Sequence, residues 1–176
     1  MMKDIVRIIF RWLLTPVRWI YQRRNGRLEP ADRREIPNSV LLGMARDMIR
    51  EGHTATIAVK GYSMRPFLEH ERDRVILGYP QDLQVGDAVL AEIKKDHYVL
   101  HRIIKIEEDR ITLMGDGNIS GVETCQRCDV AGVVTHYLRP SRTIQASNPH
   151  LQRRIRLWRR MLPIRRYLLF IYKAIL

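Results

Sequence analysis

The sequence predicts a mainly β, α+β domain built on a curled antiparallel sheet and flanked at both ends by amphipathic helices. Between residues 54 and 138 apolar positions recur every second residue, in short runs rich in Val, Ile, Leu and Tyr. Turn residues such as Gly78-Tyr79-Pro80, Gly86-Asp87 and Asp116-Gly117 separate these runs too closely for helical crossovers between parallel strands. Toward both termini the apolar period changes to that of a helix.

Taken in order, residues 1–24 form a basic amphipathic helix. Ile5, Val6, Ile8, Ile9, Phe10, Leu13, Leu14, Val17 and Ile20 cover most of its circumference. Lys3, Arg7, Arg11, Arg18 and Gln22 make a narrow polar stripe, and Trp12, Trp19 and Tyr21 suit a bilayer interface. Nine apolar residues at roughly −0.5 kcal/mol each give about −4.5 kcal/mol, against about +7.5 kcal/mol for three arginines at roughly +2.5 each, so the helix is expected to lie on a membrane. A single-pass anchor is left open, because arginines near the ends can snorkel. Pro16 is expected to kink the helix, and no small-residue cleavage site follows the apolar run.

Residues 25–37, with Gly26, Pro30 and Pro37 among charged residues, read as a linker. The domain is expected over 38–138. It begins with a helix capped by Asn38 or Ser39, carrying Val40, Leu41, Met44, Ala45 and Met48 on one face and ended by Gly52. Strands are expected at 54–60, 74–79, 87–93, 98–106, 110–114 and 130–138. Residues 148–176 read as a second basic interfacial segment, divided by Pro163 into an arginine-rich half and an apolar half too short to span a bilayer.

The formal net charge of +12 is unevenly distributed. Residues 1–30 carry seven Lys/Arg and two acids, residues 139–176 carry ten and none, and the middle carries fourteen and seventeen. The excess positive charge therefore lies outside the central domain and points to an anionic membrane surface contacted by both termini. The alternatives are that the terminal helices pack on each other or on the domain with their arginines solvated, or that they meet an acidic protein partner. Nucleic acid is not an expected partner, since no helix-turn-helix, zinc finger or RNA-binding signature accompanies the charge. The only cysteines, Cys125 and Cys128, exclude a disulfide scaffold and supply at most half a zinc site; no metal or cofactor is expected.

Four pieces stand in order along the domain: Gly61-x-Ser63-Met64-x-Pro66, Gly86-Asp87-x-Val89, His101-Arg102-Ile103 and Gly115-Asp116-x-Asn118. Together, over about residues 54–135, they resemble the signal peptidase I and LexA-type serine peptidase superfamily. Where many relatives place a lysine this sequence has His101, and in this it resembles the eukaryotic and archaeal Ser/His signal-peptidase branch. The resemblance implies the curled β domain of that superfamily and a serine endopeptidase acting on a precursor peptide or preprotein.

A serine hydroxyl needs a positioned base, and an imidazole is neutral enough near pH 7 to serve. Ser63 is therefore the expected nucleophile and His101 the expected general base. Gly61, Tyr62 and Met64 are expected to shape the oxyanion and substrate-binding surface around the Ser63 N–H. The acidic third member is open between Asp116 and Glu123, because Val122 occupies the position the Ser/His branch would give it. Lys94, Lys95 and Lys105 are weaker candidates for the base. The expected location is peripheral on a membrane, at its cytoplasmic face. The competing reading is a catalytically silent scaffold whose basic arms bind lipid or a partner.

Overall fold

The computed structural model describes residues 37–175; the N-terminal arm expected over 1–24 and all but the last residue of the 25–37 linker lie outside the described residues. Helix α1 (Asn38–Arg50) leads into strands β1 (Ala55–Ala58), β2 (Arg74–Gly78), β3 (Ala88–Lys94), β4 (His97–Glu107), β5 (Arg110–Met114), β6 (Glu123–Gln126), β7 (Val130–Arg139) and β8 (Arg142–Gln145). Helices α2 (Pro149–Arg160) and α3 (Arg165–Ile175) follow, joined by a short 3-10 turn at Leu162–Ile164.

The eight strands form one open antiparallel sheet in the order β1-β2-β7-β3-β4-β5-β6. Strand β7 divides one of its edges, pairing with β3 through Val130–Val133 and with β8 through His136–Arg139. The mainly β, antiparallel α+β class expected from the period-two pattern is therefore the class observed. Two strands escaped that pattern. Glu-Thr-Cys-Gln (β6) and Arg-Thr-Ile-Gln (β8) are each four residues long and mostly exposed, so hydrophobic alternation has almost nothing to act on.

Alternation gives the sheet two buried faces. Val89, Ala91, Ile103, Ile111, Leu113, Cys125 and Val130 pack together on one, with Leu83. The opposite parity carries Leu90, Arg102 and Met114, also buried. The turn residues Met64, Phe67 and Leu68 and the helix α2 residues Leu151, Ile155 and Trp158 are buried too, and Phe67 meets Trp158 edge to face at 6.4 Å.

Helix α1 presents a different face from the one expected. Leu42, Ala45 and Ile49 are buried, whereas Val40, Leu41, Met44 and Met48 are exposed. Both sets follow helical spacing, so periodicity alone cannot choose between them. Its N-terminal flank is Pro37, without the side-chain cap expected from Asn38 or Ser39.

The C-terminal segment also departs from the expected boundary at 138, since the compact unit runs from Pro37 through Leu176. Asn148 caps α2 by accepting from the backbone N–H groups of His150 and Leu151, with Pro149 at the first helical position. Leu151, Ile155 and Trp158 of α2 and Leu168, Leu169 and Tyr172 of α3 are buried. The apolar positions read as an interfacial face therefore largely complete the domain. Leu162, Ile164, Tyr167 and Phe170 remain exposed among the arginines. No helix among the described residues is long and apolar enough to cross a membrane.

If α2 belongs to the core, Trp158→Ala removes a large buried ring and should destabilise the protein by about 3–5 kcal/mol. Thermal unfolding of the full chain should show a midpoint lowered by on the order of 10 °C. An unchanged midpoint would mean that this helix is an appendage.

Candidate active site

The turn that carries Ser63 is shaped by residues on either side of it. After β1, Gly61 adopts a φ of +86°, a left-handed conformation that favours glycine. The Tyr62 carbonyl accepts from Arg65 N–H, and the Met64 carbonyl accepts from Phe67 and Leu68 N–H. Met64, Phe67 and Leu68 anchor the turn in the core, leaving Ser63 half-buried and Tyr62 exposed.

This turn lies directly on the loop after β5. Gly117 N–H donates to the Ser63 carbonyl at 2.7 Å. A Cβ at Gly115 would sit 2.5 Å from the Ser63 carbonyl oxygen, and one at Gly117 would sit 2.7 Å from that of Tyr62. Both glycines are thus required by close backbone approach, which explains the Gly115-Asp116-Gly117-Asn118 motif in steric terms.

Strand register decides which acid faces His101. His101 and Ile103 share one face of β4; Ile103 pairs with Leu113 on β5, and Leu113 pairs with Glu123 on β6. Glu123 therefore projects to the same side as His101, while Val122, one residue earlier, belongs to the other parity and is exposed. His101 Nδ1 lies 2.9 Å from Glu123 Oε2. A carboxylate there accepts a hydrogen bond and so holds the proton on Nδ1, leaving Nε2 as the free base.

Arg102 has the other parity and pairs with Met114, two residues before Asp116. Its Nε donates to both Asp116 oxygens at 2.8 and 3.0 Å, its Nη2 to Asp116 Oδ2 at 2.5 Å, and its Nη1 to the Gly86 carbonyl at 2.7 Å. Arg102 and Asp116 are 1% and 2% exposed. Burial opposes the Arg102 charge, but Asp116, and then Tyr137, outweigh it and raise the guanidinium pKa. Asp116 is thus tied to Arg102, and of the two acids Glu123 is the one that meets His101.

Ser63 and His101 line one cleft of about 170 Å³ with Leu42, Met64, Tyr98 and Leu100. Among the described residues, neither Ser63 N–H nor Met64 N–H donates to a protein acceptor. Gly61 N–H, in contrast, donates to His70 Nδ1 at 3.1 Å. Tyr62 lies beneath the Arg65 guanidinium, 4.2 Å from its ring centre. Lys94 and Lys95 are exposed at the β3–β4 turn, and Lys105 pairs with Glu107 at 2.7 Å. Lys60, which immediately precedes the Gly61–Pro66 motif and has no expected role, also lines the cleft.

Helices α2 and α3 brace the same loop from another side. Trp158 Nε1–H donates to the Asp116 carbonyl at 2.8 Å, and Arg165 Nη1–H donates to the Asn118 carbonyl at 2.9 Å. Nothing in the residue pattern of 148–176 pointed to this positioning role. The two cysteines are free thiols, Cys125 buried and Cys128 exposed. Burial, with smaller contributions from Asp129 and Cys128, pushes the Cys125 thiol up to about 11.

Comparison with family models, with curated proteins and with solved structures gives no match to this chain.

The different surroundings of the two acids give a direct test. Asp116→Ala leaves a buried guanidinium without its partner and should cost about 3–5 kcal/mol in denaturant unfolding. Glu123→Ala, at a partly exposed position, should change stability by about 1 kcal/mol or less. The reverse ranking would contradict the assignment of the two roles.

Proposed function

We propose that the protein is a serine endopeptidase of the signal-peptidase type, cleaving a precursor peptide or preprotein. One observation carries this reading: Ser63 shares a cleft with His101, whose Nδ1 is held by Glu123 at 2.9 Å. The ordered motifs of the superfamily supply the expected curled β domain and the identity of the nucleophile.

Ser63 Oγ attacks the substrate carbonyl carbon while its proton passes to His101 Nε2. Glu123 orients the ring and stabilises the imidazolium. The Ser63 and Met64 N–H groups receive the oxyanion. On collapse the C–N bond breaks, and the His101 proton goes to the leaving amine. Water, deprotonated by His101, then attacks the acyl ester and regenerates Ser63. The apolar cleft wall of Leu42, Met64 and Leu100 suits a small or apolar substrate side chain.

The second part of the reading is attachment to an anionic membrane surface. Its support is the exposed set Leu162, Ile164, Tyr167 and Phe170, with Phe170 74% exposed, beside Arg160, Arg166 and Lys173 on a segment without acidic residues. An apolar patch rimmed by cations fits the headgroup region. The N-terminal arm is proposed to add to it by composition.

A fluorophosphonate probe should label wild type at Ser63 and should fail on Ser63→Ala and His101→Ala, with peptide cleavage lost in parallel. Glu123→Gln should lower kcat by about 10²-fold or more while the protein stays folded. Equal labelling of wild type and His101→Ala would remove His101 as the base, and no labelling of wild type would favour a catalytically silent scaffold.

The membrane reading is checked by cosedimentation with anionic vesicles at low salt. Tyr167→Ser with Phe170→Ser should reduce binding by roughly tenfold. Binding that is independent of these residues and of salt would remove this surface from the proposal.

A further inference from the structure

The loop that carries Ser63 closes on its own chain. Leaving β1, Val59 N–H donates to the Asp73 carbonyl at 3.0 Å, and the Val59 carbonyl accepts from Glu71 N–H at 2.8 Å, so the outgoing and returning limbs are paired at the base of the loop. Beyond that pairing Gly61 makes its left-handed turn, and Met64, Phe67 and Leu68 anchor the far side in the core. The near side is held by a side chain. Gly61 N–H donates to Nδ1 of His70, nine residues further along the chain, at 3.1 Å.

This bond fixes the protonation state of the ring. An imidazole nitrogen accepts only through a free lone pair, so Nδ1 carries no proton and the ring is neutral, with its proton on Nε2. Protonation puts N–H on both nitrogens, and Gly61 N–H then faces a second donor. The bond is removed outright, whereas a bond to a carbonyl would survive the same change of pH.

The surroundings let that change happen. The His70 side chain is 32% exposed, within reach of solvent protons, and its Nε2 lies 3.7 Å from Glu71 Oε1, so the charged ring has a counter-ion waiting. Tyr62 meets the ring edge to face at 5.1 Å and is itself covered by Arg65. Arg65 is balanced by Glu69, and Arg72 by Asp73. Lys60, next to Gly61 in the chain, makes no ion pair among the described residues. Among those residues Glu71 is thus the one carboxylate within ion-pair distance of the ring. Imidazole is the side chain whose charge ordinarily changes between about pH 5 and 8.

We propose that His70 is a positioning residue and a pH-sensitive brace: neutral, it fixes the Gly61 turn and with it the place of Ser63; protonated, it turns to Glu71 and releases the turn. Its importance for activity rests on the reading of Ser63 as a nucleophile, but the brace is measurable without catalysis. Acidification then acts on the site twice, by protonating the base His101 and by loosening the turn opposite it.

The test separates the two effects in the full chain. His70→Asn places a carboxamide oxygen where Nδ1 stands, an acceptor that does not titrate; His70→Phe keeps a ring against Tyr62 and removes the acceptor. Solvent exchange of the Gly61 amide, followed by NMR and divided by its intrinsic rate at each pH, should lose about fivefold in protection in wild type between about pH 7.5 and 5.5. Protection should stay constant in His70→Asn and be low at both pH values in His70→Phe. Fluorophosphonate labelling of Ser63 should fall with pH about fivefold less steeply in His70→Asn than in wild type, the remaining fall belonging to His101. His70→Asn carries the test alone should His70→Phe fold poorly. The brace is overturned if Gly61 protection in wild type ignores pH or follows the same curve in His70→Asn, and the positioning role is overturned if the exchange pattern holds while the labelling profiles coincide. Absence of labelling in wild type removes the peptidase reading instead, and the exchange pattern still decides the brace.

Discussion

The buried ion pair between Arg102 and Asp116 is the constraint on which the candidate site depends. Arg102 follows His101 on β4, so fixing its side chain fixes the strand that presents His101. Asp116 lies within the loop on which the Ser63 turn rests, so fixing its carboxylate fixes the surface beneath Ser63. The same guanidinium reaches the Gly86 carbonyl and lies 5.4 Å from the Phe67 ring centre. Four segments distant in sequence thus meet at one cation. A buried pair contributes little net stability after desolvation, whereas leaving either partner alone is severely unfavourable. Its effect is therefore to exclude arrangements in which these segments separate.

The period-two pattern of the sequence was enough to identify an antiparallel sheet and most of its strands, because Val, Ile and Leu alternate wherever one strand face is buried. It failed at Glu123–Gln126 and Arg142–Gln145, where polar residues predominate. Of the proposed catalytic pair, Ser63 and His101 were legible because motif order carries them. The choice between Asp116 and Glu123 was not, because it depends on cross-strand register, which relates residues through pairing partners absent from any local window. Once Ile103, Leu113 and Glu123 are aligned, parity sends Glu123 toward His101, while Asp116, in the turn after β5, is held by Arg102.

The C-terminal helices show how composition can conceal packing. Ten cations without an acid invite an explanation by external anions, and amphipathic spacing fits a lipid surface as well as a protein one. Here the spacing serves the protein first: Trp158, Leu168, Leu169 and Tyr172 are buried, and Arg165 is buried against backbone carbonyls, with its guanidinium 5.4 Å from the Trp158 ring centre. Such an arginine acts as a multidentate clamp, joining α3 to the Asn118 carbonyl beside the serine turn. What remains outside is a narrower set of apolar residues and arginines, and only those can meet a membrane or an anion.

The candidate site is also unequally supported along its own length. Ser63 is backed by the Gly115–Asn118 loop, and that loop by Trp158 and Arg165, so several packed elements must move together to displace it. His101 lies inside the sheet between β3 and β5, with backbone pairing on both sides of its strand. Glu123 belongs to β6, a four-residue strand at the end of the sheet, paired in the ladder only with β5 and partly exposed. Edge strands with few buried contacts open at lower free energy than central ones. Glu123 therefore sits on the least supported of the three elements, and local opening can begin at β6 while Ser63, His101 and the buried Arg102–Asp116 pair stay in place.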